Sequence, residues 1–348
     1  MAINLGIIGY GGMAGWHRKN APRVEGVNVV AAYDIDPVRV GIAREDGLIG
    51  YDKLEDLLAD ETINTILVAT PNDIHPEMAI AASKAGKHVI SEKPVAMSVE
   101  KLDSMIDAAK QAGKLFTVHQ NRRWDKDFLT AKSVIESGVL GKVYSIQSRL
   151  HGSGGVMHGW RSEKEHGGGM LYDWGVHFLD QILFMCGFDS VKTVTASFSS
   201  VINPEVDDYI FLLLDLKDGR RVQVEIGTYV LKESPRWLVM GDEATLFIQD
   251  FNCKEGAVVK IDSLQEDKPV IIMTSAGPTR TFAPRPDNLK ENLPLPEITA
   301  DWTEYYANLS AAIEGKEELI VKPEQVRQVV KLMEACFKSA ETGVSVTL

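Results

Sequence analysis

Two side chains able to move a proton stand four residues apart in the segment GGGMLYDWGVHFLD, Gly167 to Asp180. If the segment is a helix, Asp173 and His177 share one face. Asp180 falls on that side too, and Leu171, Trp174, Phe178 and Ile182 form the opposite, core-facing stripe. An imidazole with an ordinary pKa of ~6.5 accepts a proton near neutral pH, and a neighbouring carboxylate favours its charged form. Gly167–Gly169 are expected to let the backbone pass close to a ligand without a side-chain clash. Taken alone, such a pair is more often a core histidine beside an aspartate at a helix start.

A nucleotide signal alters that balance. GYGGMA, Gly9 to Ala14, fits G-x-G-x-x-A directly after an apolar strand. Gly9 permits the tight turn, Gly11 lets the backbone approach a pyrophosphate, and Ala14 lets helix and strand pack closely. The helix start then offers unpaired N–H groups to the phosphates. The next strand ends in Asp34, 20 residues past Ala14, where a carboxylate can accept from a ribose diol and repel a 2′-phosphate. NAD is therefore expected, with NADP kept open by the nearby Arg39. Thr70-Pro71-Asn72 and Glu92-Lys93-Pro94 each follow a strand, so both should face one crevice at the carboxyl ends of a parallel sheet. Lys93 is an unusual lysine there if it is only a solvated charge.

The elements that must position these residues follow from the hydrophobic pattern. Apolar runs at 3–10, 27–34, 63–70, 87–93 and 114–120 alternate with helical patterns at 76–86 and 99–113, which predicts a doubly wound parallel sheet. After Gln120 come a helix near 127–137, a strand, a loop and the Asp173–His177 helix. Alternating strands follow at 191–202, 208–216, 220–230, 237–241 and 244–248, and Asp218-Gly219 marks a hairpin turn. Gly277–Ala300 holds five prolines and reads as a loop or arm. Two helical patterns close the chain. The expected class is α/β: a Rossmann domain over 1–121 and an α+β domain with a large, mostly antiparallel sheet over 122–348, whose last helix, 323–343, is placed to pack back on the first domain.

Composition narrows the function. The 348 residues are 45% hydrophobic and 25% charged, with a net charge of −12, which argues against nucleic-acid and anionic-membrane partners. Three scattered cysteines, Cys186, Cys253 and Cys336, suit reduced thiols in a cytoplasmic protein. The N-terminus lacks a signal-peptide pattern, and no apolar run approaches the ~20 residues of a membrane helix. His151, His158 and His166 match no zinc spacing, so no metal is expected.

Together GYGGMA (9–14), YDID (33–36), ATPNDIH (69–75), SEKP (91–94), QNRRW (120–124) and GGGMLYDWGVH (167–177) resemble the glucose-fructose oxidoreductase / inositol dehydrogenase (Gfo/Idh/MocA) family of nicotinamide-dependent sugar and polyol dehydrogenases. The resemblance implies Lys93, Asp173 and His177 as the catalytic set. It places the cofactor against Gly9, Tyr10, Gly11, Gly12, Met13, Ala14, Asp34, Ile35, Arg39, Ala69, Thr70, Pro71, Asn72, His75, Glu92, Lys93 and Gln120. Substrate is expected beside Lys93, Asn121, Arg122, Trp124, Trp160, Arg161, Tyr172, Asp173 and His177. The expected reaction moves a hydride between a secondary hydroxyl of a sugar, cyclic polyol or glycoside and the nicotinamide. His177 suits the base, and Lys93 can stabilise negative charge developing on the substrate oxygen. The rivals are a redox-neutral NAD-dependent glycosidase and a non-catalytic nucleotide sensor. A homodimer or homotetramer joined through the large sheet is expected.

Overall fold

The computed structural model describes residues 2–152, 154, 158–261, 271–280 and 290–348. The first unit runs β1 (Ile3–Ile8), α1 (Gly12–Asn20), β2 (Val27–Tyr33), α2 (Pro37–Glu45), β3 (Ile49–Tyr51), α3 (Leu54–Ala59), β4 (Thr65–Val68), α4 (His75–Lys84), β5 (His88–Ser91), α5 (Val99–Gln111) and β6 (Phe116–Val118). Its six strands are all parallel, in the order β3-β2-β1-β4-β5-β6. Order reverses between β1 and β4, which opens a crevice at their carboxyl ends. Every residue of β4 is buried, as a strand covered by helices on both faces requires. Local signals set the helix starts. Asp36 accepts from the Val38 N–H ahead of Pro37 at the start of α2, and the Ser98 hydroxyl caps α5.

The second unit comprises α6 (Lys126–Glu136), β7 (Val143–His151), a π-helical turn (Leu171–Gly175) continued by α7 (Val176–Cys186), β8 (Val191–Ser199), β9 (Tyr209–Leu216), β10 (Arg221–Gly227), β11 (Trp237–Gly241), β12 (Ala244–Ile248), β13 (Gly256–Ile261), the β14–β15 hairpin (Ile271–Thr274, Gly277–Arg280), β16 (Lys290–Leu293), α8 (Glu304–Ile313), α9 (Pro323–Thr342) and β17 (Val346–Thr347). Nine strands form one sheet, β16-β13-β12-β11-β7-β10-β9-β8-β17, in which only β7 and β10 pair in parallel. In β9, Ile210, Leu212, Leu214 and Leu216 are buried while their neighbours are not. That period of two puts one face onto α7 and α9 and leaves the other open. The β9–β10 hairpin turns at Asp218-Gly219, with Gly219 at φ +89.

Three parts differ from the sequence expectation. The segment 277–300 is not one arm: Gly277–Arg280 closes a hairpin and Lys290–Leu293 adds an edge strand to the large sheet, while 281–289 lie outside the described residues. β3, α3, β13 and β17, of two to six residues each, are too short for a hydrophobic period to mark them in a single sequence. α8 buries Tyr305, Tyr306 and Leu309 in the first core, and α9 divides its faces. Val326 and Val330 join the first core, whereas Val329, Leu332, Met333 and Cys336 join the second. Among the described residues, no helix is long and apolar enough to cross a membrane.

The junction is locked by a buried ion pair. Arg123, just after β6, donates Nε and Nη2 to the Asp180 carboxylate of α7 at 2.8 and 2.7 Å. Its Nη1 reaches the Ile320 carbonyl and Gln325 ahead of and within α9, both at 2.8 Å. Removing one member strands a buried charge. Asp180→Ala is expected to cost about 3–5 kcal/mol in urea unfolding, and pairing it with Arg123→Met should restore much of the loss.

Candidate active site

At the crevice, β1 ends in a turn that only glycine fits. Gly9 sits at φ +90, and a Cβ there would meet the Ala69 carbonyl oxygen at 2.7 Å. α1 begins at Gly12 without a side-chain cap, and a Cβ on Gly12 would meet nothing within 4 Å. Open backbone N–H groups thus face free space, as a pyrophosphate requires. Ala14 is buried against the sheet. The Asp34 carboxylate accepts from the Tyr10 N–H at 2.6 Å and the Asp36 N–H at 2.9 Å, which fixes it at the strand end. Ile35 beside it is 90% exposed, an apolar surface next to the ribose position. Arg39 Nη1 stands 3.9 Å from Asp34 and would touch a Cβ on Gly11 at 3.1 Å. A carboxylate and a guanidinium therefore share this end of the site.

Further along, two buried amides keep polar atoms without a partner among the described residues. Gln120 is 1% exposed with neither Oε1 nor Nε2 bonded, and Asn72 donates to the Gly167 carbonyl while its Oδ1 has no bond. Buried polar atoms without partners mark where a ligand's polar groups belong. These features fit a dinucleotide: Gly9–Ala14 could hold the phosphates and Asp34 the ribose, with Gln120 and the Asn72 Oδ1 open to further polar groups. His75 is different. Its two ring nitrogens meet the Pro94 and Thr70 carbonyls, both at 2.9 Å, so it braces the loops that follow β4 and β5. Tyr10 offers only its backbone, because its hydroxyl is tied to Asp46 at 2.7 Å.

Lys93, Asp173 and His177 are brought together. Lys93 Nζ donates to the Asp173 carbonyl at 2.8 Å and meets Asp173 Oδ1 at 3.3 Å. The π-helical turn at Leu171–Gly175 widens the helix where that carbonyl accepts; such turns recur at functional sites. His177 is buried and makes no hydrogen bond among the described residues, with Nδ1 sealed from solvent. Burial, then the charges of Lys93 and Arg122, hold its pKa well below 6.5, so the imidazole is neutral near pH 7. Behind Lys93 lies a network that sequence reasoning missed. Glu92 Oε1 accepts from His17 Nε2 at 2.7 Å and His119 Nδ1 at 2.9 Å, and His17 Nδ1 accepts from the Tyr306 hydroxyl at 2.6 Å. Burial works against the Glu92 charge, yet the two imidazoles hold its pKa well below the usual carboxylate range. Nothing in the spacing of residues 17, 92, 119 and 306 signals this cluster.

Other expected site residues fall into two groups. Arg122, half-buried, pairs through Nη1 with Asp125 at 2.8 Å and stacks 4.2 Å over Trp174. Trp174 packs against the second core, as expected, and also offers a ring face to Arg122. Arg161 lies 3.5 Å from Asp173 and 4.4 Å over Trp160. Asn121 is buried beside them. Trp124, in contrast, packs edge-on against Tyr305, and the Tyr172 ring lies against Phe337 with its hydroxyl near the Met97 carbonyl. Asp180 leaves the catalytic face for its pair with Arg123. The glycines serve protein packing: a Cβ on Gly168 would strike the Arg161 carbonyl at 2.4 Å, and one on Gly169, at φ +104, would strike Asp207 at 2.3 Å.

Comparison with known proteins decides the family. Residues 3–120 match the oxidoreductase family with an NAD-binding Rossmann fold, and residues 132–348 match the C-terminal α/β domain of the same family. The chain belongs to the Gfo/Idh/MocA oxidoreductases. A solved NAD-binding protein from Listeria innocua is 39% identical, covers 100% of this chain and 97% of its own, and superposes with a TM-score of 0.89. A scyllo-inositol 2-dehydrogenase (NADP(+)) of Bacillus subtilis is 28% identical over 99% of this chain and 96% of its own length. A 2,7-anhydro-N-acetylneuraminate hydratase of Escherichia coli is 29% identical over 65% of this chain and 62% of its own. Like other Gfo/Idh/MocA members, this chain is an oxidoreductase-type enzyme for a nicotinamide nucleotide and a small molecule.

Two outcomes follow for this Gfo/Idh/MocA site. Asp34→Ala should weaken NAD binding about tenfold while NADP binding holds or tightens, read by titration of cofactor fluorescence. Burial, and then His119, lower His17 from 6.5 to about 4. The unfolded chain takes up that proton first, so this stability is complete above pH ~6.5 and is lost as pH falls through about 4. Urea unfolding should lose on the order of 3 kcal/mol across that window, and His17→Asn should flatten the dependence.

Proposed function

We propose that the protein is an NAD-dependent dehydrogenase, with NADP as the alternative cofactor, that oxidises a secondary hydroxyl of a sugar, cyclic polyol or glycoside. The observation that carries this reading is a neutral His177 imidazole, without a hydrogen bond among the described residues, beside the Lys93–Asp173 pair at the carboxyl ends of the parallel strands. The cofactor, when bound, supplies the hydride acceptor. Lys93 donates to the substrate oxygen and stabilises the charge that develops there as the hydride leaves. His177 takes the hydroxyl proton, and its depressed pKa keeps it in the base form well below pH 6.5. Asp173 holds the Lys93 ammonium through both its carbonyl and its carboxylate. The inositol dehydrogenase relative supports the substrate class.

Self-association through the open face of the nine-stranded sheet accompanies this reading. Phe211, Leu213, Leu238 and Phe247 line that face and stay half-exposed in the single chain. A redox-neutral reaction is the second reading, favoured by the hydratase relative.

The test is absorbance of the reduced nicotinamide with NAD and NADP against inositols, aldoses, sugar acids, sugar phosphates and glycosides. Net reduction is expected. Product formation without net reduction would instead support the redox-neutral reaction, and silence in both would overturn the proposal. Lys93→Met and His177→Asn should each lower kcat by about 10²–10⁴-fold while cofactor binding persists.

A further inference from the structure

Two arginines in sequence, Arg122 and Arg123, meet opposite fates. Arg123 is 2% exposed and fully used: its Nε–Nη2 edge grips both oxygens of Asp180, and Nη1 holds Ile320 and Gln325. Arg122 is held as firmly, by Asp125 at Nη1 and by the faces of Trp174, Trp302 and Phe251 at 4.2, 5.4 and 5.5 Å. Yet its Nε and Nη2 have no hydrogen-bond partner among the described residues, and neither atom is sealed. The edge that grips a carboxylate in Arg123 is thus left free in Arg122. An aromatic stack that fixes a guanidinium while sparing its two-pronged edge is the arrangement for receiving a planar oxyanion.

The surroundings agree. Lys93 and Arg161 both lean on the one Asp173 carboxylate, at 3.3 and 3.5 Å. At His177 the charges of Lys93 and Arg122 outweigh that of Glu92. Three cations, Lys93, Arg122 and Arg161, thus share two carboxylates, Asp173 and Asp125, in front of Glu92, in a chain whose net charge is −12.

Resting on the dehydrogenase reading, we infer that the substrate is an anionic carbohydrate whose carboxylate or phosphate is received by the free edge of Arg122, with Arg161 beside it. Arg122 is then a specificity residue, and the reacting hydroxyl stays with Lys93 and His177. The class of reaction supplying such a substrate is one that leaves a sugar with an oxyanion: oxidation of a terminal carbon to a carboxylate, or phosphorylation.

The test is calorimetric binding to the NAD-loaded protein, run beside nicotinamide reduction. D-Glucuronate and D-gluconate probe a carboxylate, D-glucose 6-phosphate probes a phosphate, and D-glucose and myo-inositol are the neutral counterparts. At least one anionic probe should bind about 10–100-fold more tightly than its neutral counterpart, with an affinity that falls as salt rises. Arg122→Lys keeps the charge opposite Asp125 but loses the fork, and should close most of that gap without unfolding the protein. Equal or tighter binding of the neutral probes, no binding of any anionic probe, or an unchanged gap in Arg122→Lys would each overturn the inference. Reduction with a neutral polyol and no anion preference removes the charge assignment alone. Anion binding with no turnover of any probe removes the dehydrogenase reading alone.

Discussion

The buried carboxylate of Glu92 is the constraint on which the site depends. It is 5% exposed and adjoins Lys93, and an unpaired charge there would cost several kcal/mol. Its oxygens accept from His17 on α1, His119 beyond β6 and the Lys93 backbone N–H at 3.1 Å. His17 passes the chain on to Tyr306 of α8. One charge therefore ties together the helix that opens the cofactor site, two adjacent strand ends and a helix from late in the sequence. Lys93 follows Glu92 directly, so its backbone cannot wander without breaking these bonds. Pre-organisation of the lysine is thus a consequence of satisfying a carboxylate behind it.

In front of Lys93 the same logic runs with opposite sign. Asp173 receives Lys93 from the first unit and Arg161 from the loop before its own helix. The π-helical turn lets its carbonyl share the ammonium, and Asp207 satisfies that turn's start through the Leu171 N–H at 2.8 Å. Deeper in, Arg236 is 3% exposed between Phe178, Trp237 and Phe251, and it pairs with Asp127 at 3.0 Å. It donates to Gln181 of α7 at 2.8 Å, and Gln181 donates to the Arg122 carbonyl at 2.7 Å. Among the described residues, this polar lattice leaves buried atoms of Gln120, Asn72 and His177 without a hydrogen bond, and also His119 Nε2, Arg161 Nε and Asp127 Oδ1.

Much of this was legible in the sequence, for identifiable reasons. The alternation of strands and helices follows from apolar runs separated by helical patterns, and GYGGMA with Asp34 announces the nucleotide end because both are local patterns. The gathering of Lys93 with Asp173 came from motif resemblance, since 80 residues separate them and no periodicity links them. The missed features share one property: they are set by tertiary packing. A π-helical turn has no composition of its own, so the widened segment Leu171–Gly175 reads as ordinary helix. Asp180 reads as a catalytic-face carboxylate until Arg123 is seen opposite it. Lys290–Leu293, with one apolar residue in KENL, becomes a strand only because β13 offers an unpaired edge. Gly168 and Gly169 are glycines because Arg161 and Asp207 crowd them, which no local rule foretells.

Neither unit contains the site alone. The first supplies the Gly9–Ala14 turn and Lys93, and the second supplies Asp173 and His177, so the geometry of the proposed reacting groups is the geometry of the junction. The chain invests accordingly there. α8 is spent on the first core, α9 shows one face to each core, and Arg123 joins the end of β6 to α7 and to the start of α9. A buried pair such as Arg123–Asp180 contributes little net stability over a well-packed apolar substitute, but its bidentate geometry admits one relative placement. Apolar surfaces would hold the units together and let them slide. A fixed distance between a lysine on one unit and an imidazole on the other demands directional bonds, and the junction is where this chain places them.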